Sequence, residues 1–240
     1  MSLKKEIPNL LTLSNLLAGC LGLVFVMQNN LLAASYCIGI SLVFDFFDGF
    51  LARLLSAYSE IGKQLDSLAD MVSFGVLPSF ILLGLVENSC TSLCYYGIGG
   101  FYKPYMVFLL ALASCYRLAK FNIDTRQTDQ FIGVPTPANG LLIASIPLIL
   151  HFQPEYSQYF LSFNGLLIYA VLMSYLLVSE LPLMAFKFKS FGWSENQMRY
   201  IFLIFCVISV IFLKFVAIPV LVVCYILLSG IQFIFNSQKK

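Results

Sequence analysis

The chain has 240 residues, of which 60% are hydrophobic and only 11% are charged. A soluble domain carries roughly 25% charged residues to cover its surface, so this composition excludes an ordinary soluble protein. The net charge of +2 excludes a nucleic-acid binder that works through a broad basic face. High hydrophobicity with little charge also excludes a disordered chain. The sequence therefore predicts an integral membrane protein.

Apolar runs long enough for membrane helices follow one another along the chain. They cover residues 8–28, 31–55, 68–86, 104–121, 138–152, 160–180, 199–213 and 215–235. A helical span needs about 20 apolar residues, and these runs alternate too little for membrane β-strands. They predict an all-α transmembrane bundle of about eight spans. Six or seven spans stay open because the fifth and seventh runs are short.

The basic residues predict the orientation of the bundle. With both termini in the cytoplasm, every Lys and Arg except Lys103 and Lys214 falls on the cytoplasmic side, as the positive-inside rule requires. An odd number of spans would break this distribution. Few polar loops interrupt the apolar sequence, so we expect one domain over residues 1–240, lying in the cytoplasmic membrane.

The N-terminal segment imitates a lipoprotein signal, with two lysines before an apolar stretch that ends at Cys20. Polar residues interrupt that stretch, and the apolar run continues past Cys20 to Met27. We therefore expect the first span to be retained rather than cleaved.

The cysteines and the single histidine form no recognisable metal motif. Cys90 and Cys94 share one predicted external loop, where a local disulfide and simple packing are both open. One histidine makes no zinc site, so His151 is expected to be structural.

Four aspartates lie within 26 positions of otherwise apolar sequence. Asp45 and Asp48 are three residues apart on one predicted helix, and Asp66 and Asp70 are four apart on the next, so each pair shares a helix face. A short polar connection brings the two faces together at the cytoplasmic side. Carboxylates inside a span are costly and need positive partners. Arg53 and Lys63 supply at most two positive charges for four negative ones, which indicates another cation.

The chemistry of these donors narrows the choice of cation. Converging carboxylate oxygens, without histidine or thiolate, suit Mg²⁺, Mn²⁺ or Ca²⁺ rather than zinc or copper. Two other interpretations are open: a polar seam with some protonated aspartates, or a cation pathway in a transporter. Confinement of the acids to one side of the membrane favours a fixed site, because the other spans carry almost no acids to continue a path.

The full pattern over residues 45–70 is D-x-x-D-G-x-x-A-R-x8-G-x3-D-x3-D. It resembles the signature of the CDP-alcohol phosphotransferase family and matches every fixed position. The resemblance implies a homodimeric membrane enzyme that moves a phosphatidyl or similar group from a CDP-linked donor to an alcohol and releases CMP. It also implies two divalent metal ions, Mn²⁺ or Mg²⁺, with Asp70 taking the proton of the incoming hydroxyl. The metal ligands that it implies are Asp45, Asp48, Asp66 and Asp70.

Asn9, Thr12 and Asn15 recur at i, i+3 and i+6 on the first span and form a polar stripe. From the residues alone, helix capping and interhelical hydrogen bonds are as good an interpretation as ligand binding. The family resemblance favours the nucleotide. The residues it implies for binding CDP-diacylglycerol are Asn9, Thr12, Gly49, Arg53 and Ser59. The guanidinium fork of Arg53 suits paired phosphate oxygens, and Gly49 allows close approach to the backbone.

A second polar cluster lies further along the chain. It reads Arg117-Leu-Ala-Lys120-Phe-Asn122, followed by Phe131-Ile-Gly133-Val-Pro135-Thr-Pro137-Ala-Asn139-Gly140. A cytoplasmic loop with proline turns is the plain interpretation. Both segments also resemble the membrane-type phosphatidylserine synthases within the family, which implies L-serine as the acceptor. Arg117, Lys120 or Arg126 would then anchor the serine carboxylate, with Arg117 favoured because it ends a predicted span.

The alternatives differ in their acceptor or in their class. A glycerol phosphate or inositol phosphate acceptor would call for a denser basic cluster than these loops offer. A divalent-cation transporter would use the aspartates as a relay and release no CMP. Phosphatidylserine synthases with a covalent histidine need paired His/Lys/Asp motifs, which a chain with one histidine lacks, so we expect direct in-line attack.

Overall fold

A computed structural model describes residues 3–89, 102–124, 131–183 and 193–237. The helices are α1 Leu3–Met27, α2 Leu31–Leu54, α3 Glu60–Asp70, α4 Leu77–Asn88, α5 Leu109–Ile123, α6 Thr136–Phe152, α7 Ser157–Phe160, α8 Phe163–Val178, α9 Trp193–Leu213 and α10 Ala217–Ser237. A π-helical segment covers Met71–Val76, and 3₁₀ turns cover Lys103–Phe108, Pro154–Tyr156 and Lys214–Val216. The strands are β1 Phe131–Ile132 and β2 Pro182–Leu183. The predicted helical fold is confirmed, with this one short strand pair added.

Five helical stretches among the described residues are long and apolar enough to cross a membrane. They are Glu6–Met27, Leu31–Leu54, Glu60–Asn88, Lys103–Ile123 and Tyr200–Gly230. The bent pair Pro154–Phe160 and Phe163–Val178, whose parts meet at 66°, makes a sixth if it is one span. Helix α6 is apolar but shorter. A multi-pass membrane protein is therefore confirmed, whereas eight spans and cytoplasmic termini stay predictions.

The chain reverses direction at Lys214, between α9 and α10. Lys214 has φ 50°, a left-handed conformation that ends the helix. Phe202 on α9 and Tyr225 on α10 lie on opposite sides of this turn, yet their ring centroids are 6.3 Å apart. Gln153, which follows α6, bonds through its side-chain amide to backbone groups on both sides of the turn. The seventh and eighth apolar runs therefore form an antiparallel pair.

Helix α4 and the π-helical segment lie at the centre of the hydrophobic core. Phe74, Leu77, Ile81 and Leu82 are fully buried. In a membrane such side chains stabilise the bundle through close packing, because lipid tails are as apolar as they are. The π-helical segment begins directly after Asp70 and joins α3 to α4, so the packed core fixes the end of the helix that carries Asp66 and Asp70.

A glycine lets α1 pack tightly against the π-helical segment. A Cβ atom at Gly19 would lie 2.5 Å from the Ser73 hydroxyl oxygen, closer than carbon and oxygen approach without a bond. Any larger residue at this position would push the two elements apart. The polar residues of α1 are thereby held beside the carboxyl end of α3.

The strand pair ties the loop before α6 to the end of α8. β1 and β2 are antiparallel, with Phe131 opposite Leu183. Gly133 has φ 74°, and a Cβ atom there would lie 2.6 Å from the Leu177 carbonyl oxygen, so the position requires glycine. The polar segment that precedes α6 is therefore held in a defined conformation against the end of α8.

Candidate active site

The four aspartates converge as their spacing predicts. Asp45 and Asp48 lie on α2, and Asp66 and Asp70 lie on α3. One carboxylate oxygen from each of Asp45, Asp48 and Asp66 lies within 4.8 Å of the others. Asp45 is also within hydrogen-bonding range of Asp70, which adds the fourth acid to the cluster.

Two of these carboxylates are buried, the other two are half-buried, and none has a basic side chain bonded to it among the described residues. Asp48 is 6% exposed and Asp70 is 8% exposed. Within the described part of the chain, none of the four forms a salt bridge. Arg53 donates instead to the Gly49 carbonyl oxygen at 3.0 Å, and Lys63 donates to the Asn122 carbonyl oxygen at 2.7 Å. The like charges therefore repel one another unless a cation or protons neutralise them.

The cluster fits a hard divalent cation. Its donors are carboxylate oxygens alone, the ligands that Mg²⁺, Mn²⁺ and Ca²⁺ prefer. The three grouped oxygens are close enough to share one ion. Asp70 is buried where α3 continues into the π-helical segment. Its position relative to the other three aspartates could not be predicted from the sequence.

Two side chains of α1 form hydrogen bonds to the aspartates. Thr12 donates its hydroxyl to Asp48 at 2.6 Å, and Asn15 donates its amide to Asp70 at 3.2 Å. Thr12 is 4% exposed and Asn15 is fully buried. The polar stripe was visible in the sequence, but its carboxylate partners depend on how α1 crosses α2 and α3. Asn15 was not predicted as a site residue.

A cavity of about 740 Å³ opens beside the cluster. Its walls come from α1, the end of α2, the following turn and α3. The lining residues are Pro8, Asn9, Thr12, Asp45, Asp48, Gly49, Ala52, Ala57, Tyr58, Ser59, Glu60, Gly62, Lys63 and Asp66. Four of the five residues predicted for the donor nucleotide therefore border this cavity. The fifth, Arg53, is exposed, and its side chain turns back onto α2.

Ser59 and Gly62 shape the start of α3, where it borders the cavity. Ser59 is the N-cap of α3, and its hydroxyl accepts a hydrogen bond from the Gly62 backbone at 3.0 Å. A Cβ atom at Gly62 would lie 3.1 Å from the Asn9 side-chain oxygen, so glycine lets Asn9 approach α3. Tyr58 and Lys63 also border the cavity and were not predicted, because their role depends on the turn before α3.

The second polar cluster places one strong candidate close to the aspartates. Arg117 on α5 is 8% exposed, and its Nε has no hydrogen-bond partner within the described residues. Its charge interacts with that of Asp70. Lys120 instead forms a salt bridge with Glu180 at 2.9 Å. Arg126 lies outside the described residues.

None of the remaining polar candidates that the structure describes lines this cavity. Cys90 and Cys94 lie outside the described residues. Cys20, Cys37, Cys115, Cys206 and Cys224 are free. His151 is exposed at the end of α6, at the same end of the bundle as the Lys214 turn.

A helical membrane bundle with buried carboxylates in the wall of a cavity defines a membrane-embedded site suited to a cation and an anionic ligand. The family model for CDP-alcohol phosphatidyltransferases matches residues 5–177, and the chain belongs to that family. It is therefore a transferase, and the predicted family is confirmed.

Several curated relatives are named CDP-diacylglycerol–serine O-phosphatidyltransferase. The one from Bacillus subtilis is 33% identical over 185 residues, covering 75% of this chain and 91% of the relative. The one from Helicobacter pylori is 29% identical over 242 residues, covering 97% and 92%. The one from Mycobacterium bovis is 28% identical over 243 residues, covering 97% and 79%.

Proposed function

We propose that this protein transfers the phosphatidyl group of CDP-diacylglycerol to the hydroxyl of L-serine, giving phosphatidylserine and CMP. The observation that carries the proposal is the cluster of four buried or half-buried aspartates beside a cavity of about 740 Å³. The names of the relatives that span most of this chain supply the two substrates.

The reaction is a direct displacement at phosphorus. The serine hydroxyl oxygen forms a bond to the phosphorus of the phosphatidyl group, and the bond from that phosphorus to the CMP oxygen breaks. The hydroxyl proton passes to Asp70, and the electron pair of the broken bond leaves with CMP. Asp45, Asp48, Asp66 and Asp70 would hold two divalent ions, Mn²⁺ or Mg²⁺. When bound, such ions neutralise the pyrophosphate and polarise its oxygens.

The cavity beside the aspartates is proposed to bind the cytidine diphosphate. Asn9, Thr12 and Ser59 border it with polar side chains, and Gly49 contributes bare backbone. Arg53 stands on the same helix within one turn of Gly49 and is exposed, so its guanidinium is available to the phosphates after a rotamer change. The diacylglycerol tails would lie against apolar helix surfaces.

Substitution of Gly49 by valine is expected to raise the KM for CDP-diacylglycerol by about 10-fold or more, because the new side chain enters the space proposed for the nucleotide. A Cβ atom at Gly49 meets nothing within 4 Å, so the fold accommodates the change. Gly39 on the same helix also has open space around its Cα but does not border the cavity. Gly39→Val is therefore the matched control, and equal effects of both variants would contradict this donor site.

Arg117 is proposed to bind the serine carboxylate. Its guanidinium is buried and lies near enough to Asp70 for their charges to attract. Its Nε has no hydrogen-bond partner within the described residues, so it needs an anionic or carbonyl partner. Lys120 and Arg126 are weaker candidates, since Lys120 already pairs with Glu180. A carboxylate bound by the Arg117 fork would place the adjacent serine hydroxyl on the Asp70 side of the site.

Arg117→Gln is expected to raise the KM for serine by about 10- to 100-fold, the value of a lost charge-assisted hydrogen bond. Arg117→Lys keeps the charge but loses the fork and should fall between Arg117→Gln and wild type. Lys103→Gln, on a residue predicted for the opposite side, is the control. Steady-state rates over a serine titration measure the effect. A raised KM for CDP-diacylglycerol with an unchanged KM for serine would remove Arg117 from the acceptor site.

We further propose one domain of eight spans in the cytoplasmic membrane, with both termini and the aspartates facing the cytoplasm. The reversal at Lys214 supports counting α9 and α10 separately. Lys214 also packs near the end of α6, opposite the end that carries the polar loop. Cysteine labelling from either side of sealed vesicles tests this arrangement. The family resemblance implies a homodimer, which a mass measurement in detergent tests.

A panel of acceptors tests the proposed reaction. Purified wild-type protein in detergent receives CDP-diacylglycerol, Mn²⁺ and one acceptor, and CMP is quantified by chromatography. We expect CMP release with L-serine and little with glycerol phosphate or inositol phosphate. Release with one of the phosphorylated acceptors alone would keep the family and overturn serine. Mn²⁺ flux through the protein in sealed vesicles, without CMP, would indicate a transporter.

A further inference from the structure

Asn15 lies where α1, α2 and the π-helical segment meet. It is fully buried. Its side-chain amide donates to Asp70 Oδ1 at 3.2 Å. Its backbone carbonyl accepts hydrogen bonds from the hydroxyls of Ser41 at 3.2 Å and Ser73 at 3.0 Å. One residue of α1 is thus bonded both to α2 and to the helix that carries Asp70.

The two serine hydroxyls fix the backbone from which the Asn15 side chain extends. Ser41 comes from α2 and Ser73 from the π-helical segment, so the carbonyl is held from two sides. The absence of a side chain at Gly19 is what lets Ser73 approach α1. These bonds fix the Asn15 backbone relative to α2 and the π-helical segment, so its side-chain amide starts from a fixed point beside the Asp70 carboxylate.

The direction of the hydrogen bond has a chemical consequence. An amide NH₂ group only donates, so Asp70 Oδ1 must accept and carries no proton toward Asn15. The side-chain oxygen of the same amide, Asn15 Oδ1, is buried and has no hydrogen-bond partner within the described residues. An asparagine kept for packing alone would be expected to satisfy both ends of its amide. In Asn15 only the NH₂ group has a partner within the described residues, and that partner is the Asp70 carboxylate.

We propose that Asn15 is a positioning residue for Asp70. It holds Oδ1 so that Oδ2 receives the acceptor's hydroxyl proton when the hydroxyl oxygen bonds to phosphorus and CMP leaves with the electron pair. The inference rests on the proposed function, because it assigns Asn15 to the same displacement. It goes beyond that function by naming what orients the base.

Asn15→Leu removes the amide and keeps the number and branching of the side-chain heavy atoms. We expect kcat for serine-dependent CMP release to fall by about 10- to 100-fold, the usual cost of a misplaced catalytic group. The KM values for both substrates should stay within about two-fold, because the interaction acts in the transition state. Mn²⁺ affinity, measured by electron paramagnetic resonance on the protein without substrates, should fall far less than kcat, because Asp45, Asp48 and Asp66 stay grouped.

A double variant tests whether Asn15 acts through Asp70. Asn15→Leu combined with Asp70→Asn should be no slower than Asp70→Asn alone, because a positioning residue has nothing left to position. Ser35→Ala is the control for a change at a buried polar residue away from Asp70. Ser35 lies on α2, and its hydroxyl donates to the Leu31 carbonyl oxygen of the same helix. The kcat of this variant should match wild type.

Each contrary outcome overturns the inference in a distinct way. An Asn15→Leu protein with wild-type kcat removes the role altogether, and one with lost Mn²⁺ binding assigns Asn15 to the metal site instead. If Asn15→Leu does not fold, Ser73→Ala takes its place, and wild-type kcat in that variant contradicts the positioning role. A wild-type protein that releases no CMP with any acceptor overturns the proposed function itself, whereas an active wild type confines failure to Asn15.

Discussion

Asp70→Asn is expected to reduce serine-dependent CMP release about 1,000-fold, within the range of a lost general base. Asparagine has the shape of aspartate but cannot take the hydroxyl proton. The rest of the pocket around Asp70, including Asn15 and Arg117, should remain in place. Initial rates of CMP release at saturating CDP-diacylglycerol and serine measure the loss.

The second proposed role of Asp70, as a metal ligand, needs its own control. The variant is assayed over a wide range of Mn²⁺, so that weakened metal binding is overcome by concentration. Glu155→Gln, on an exposed acid near the far end of α6, should keep wild-type activity. Recovery of Asp70→Asn to more than a tenth of the wild-type rate at high Mn²⁺ would show that another group accepts the proton.

Removal of divalent metal is expected to abolish the reaction. A chelator should leave no measurable CMP release, and Mn²⁺ or Mg²⁺ should restore it, because the clustered carboxylates would otherwise repel the pyrophosphate. Asp66→Asn should remain inactive under the same conditions. Zinc is expected to restore less activity, since the cluster offers oxygen donors alone.

Protein stability gives a test of the metal site that does not depend on activity. Mn²⁺ should raise the melting temperature of wild type in a concentration-dependent way, since a ligand that binds only the folded state stabilises it. In Asp45→Asn this shift should be lost. The metal-free variant should melt at or above the temperature of metal-free wild type, because one buried like charge is gone. A metal-free Asp45→Asn protein that is markedly less stable would contradict a repulsive cluster.

Much of the site was readable from the sequence because helix spacing is regular. The i, i+3 and i, i+4 spacings placed the aspartates on two helix faces, and the short connection after Arg53 brought those faces together. Asn9, Thr12, Gly49 and Ser59 came from the resemblance, and all border the cavity. Each of these expectations depends on local sequence or on a fixed pattern.

Contacts between distant helices could not be read in this way. Thr12 bonds to Asp48 and Asn15 to Asp70 only because of the angle at which α1 crosses its neighbours. The pairing of Lys120 with Glu180 depends on how the end of α8 lies beside α5. Arg53 bonds within its own helix, to Gly49, but the rotamer that makes this bond is one of several that the sequence allows. Periodicity carries no information about any of these.

The span count shows a further limit of hydropathy. The sequence separates the last two apolar runs at Lys214, but length and composition also allow one continuous stretch from Tyr200 to Gly230. The contact between Phe202 and Tyr225 shows the reversal, which depends on a left-handed residue that the sequence does not mark. The bend between α7 and α8 is similarly hidden within one apolar run.

Incorporation of labelled L-serine into lipid tests directly whether the protein makes phosphatidylserine. Purified wild-type protein is incubated with CDP-diacylglycerol and labelled serine, with Mn²⁺ or with a chelator, and the chloroform-soluble label and the CMP are both quantified. We expect phosphatidylserine and CMP in equal amounts, only with metal, and neither from Asp70→Asn. Folded wild-type protein that binds Mn²⁺ but incorporates no serine would contradict the proposed function.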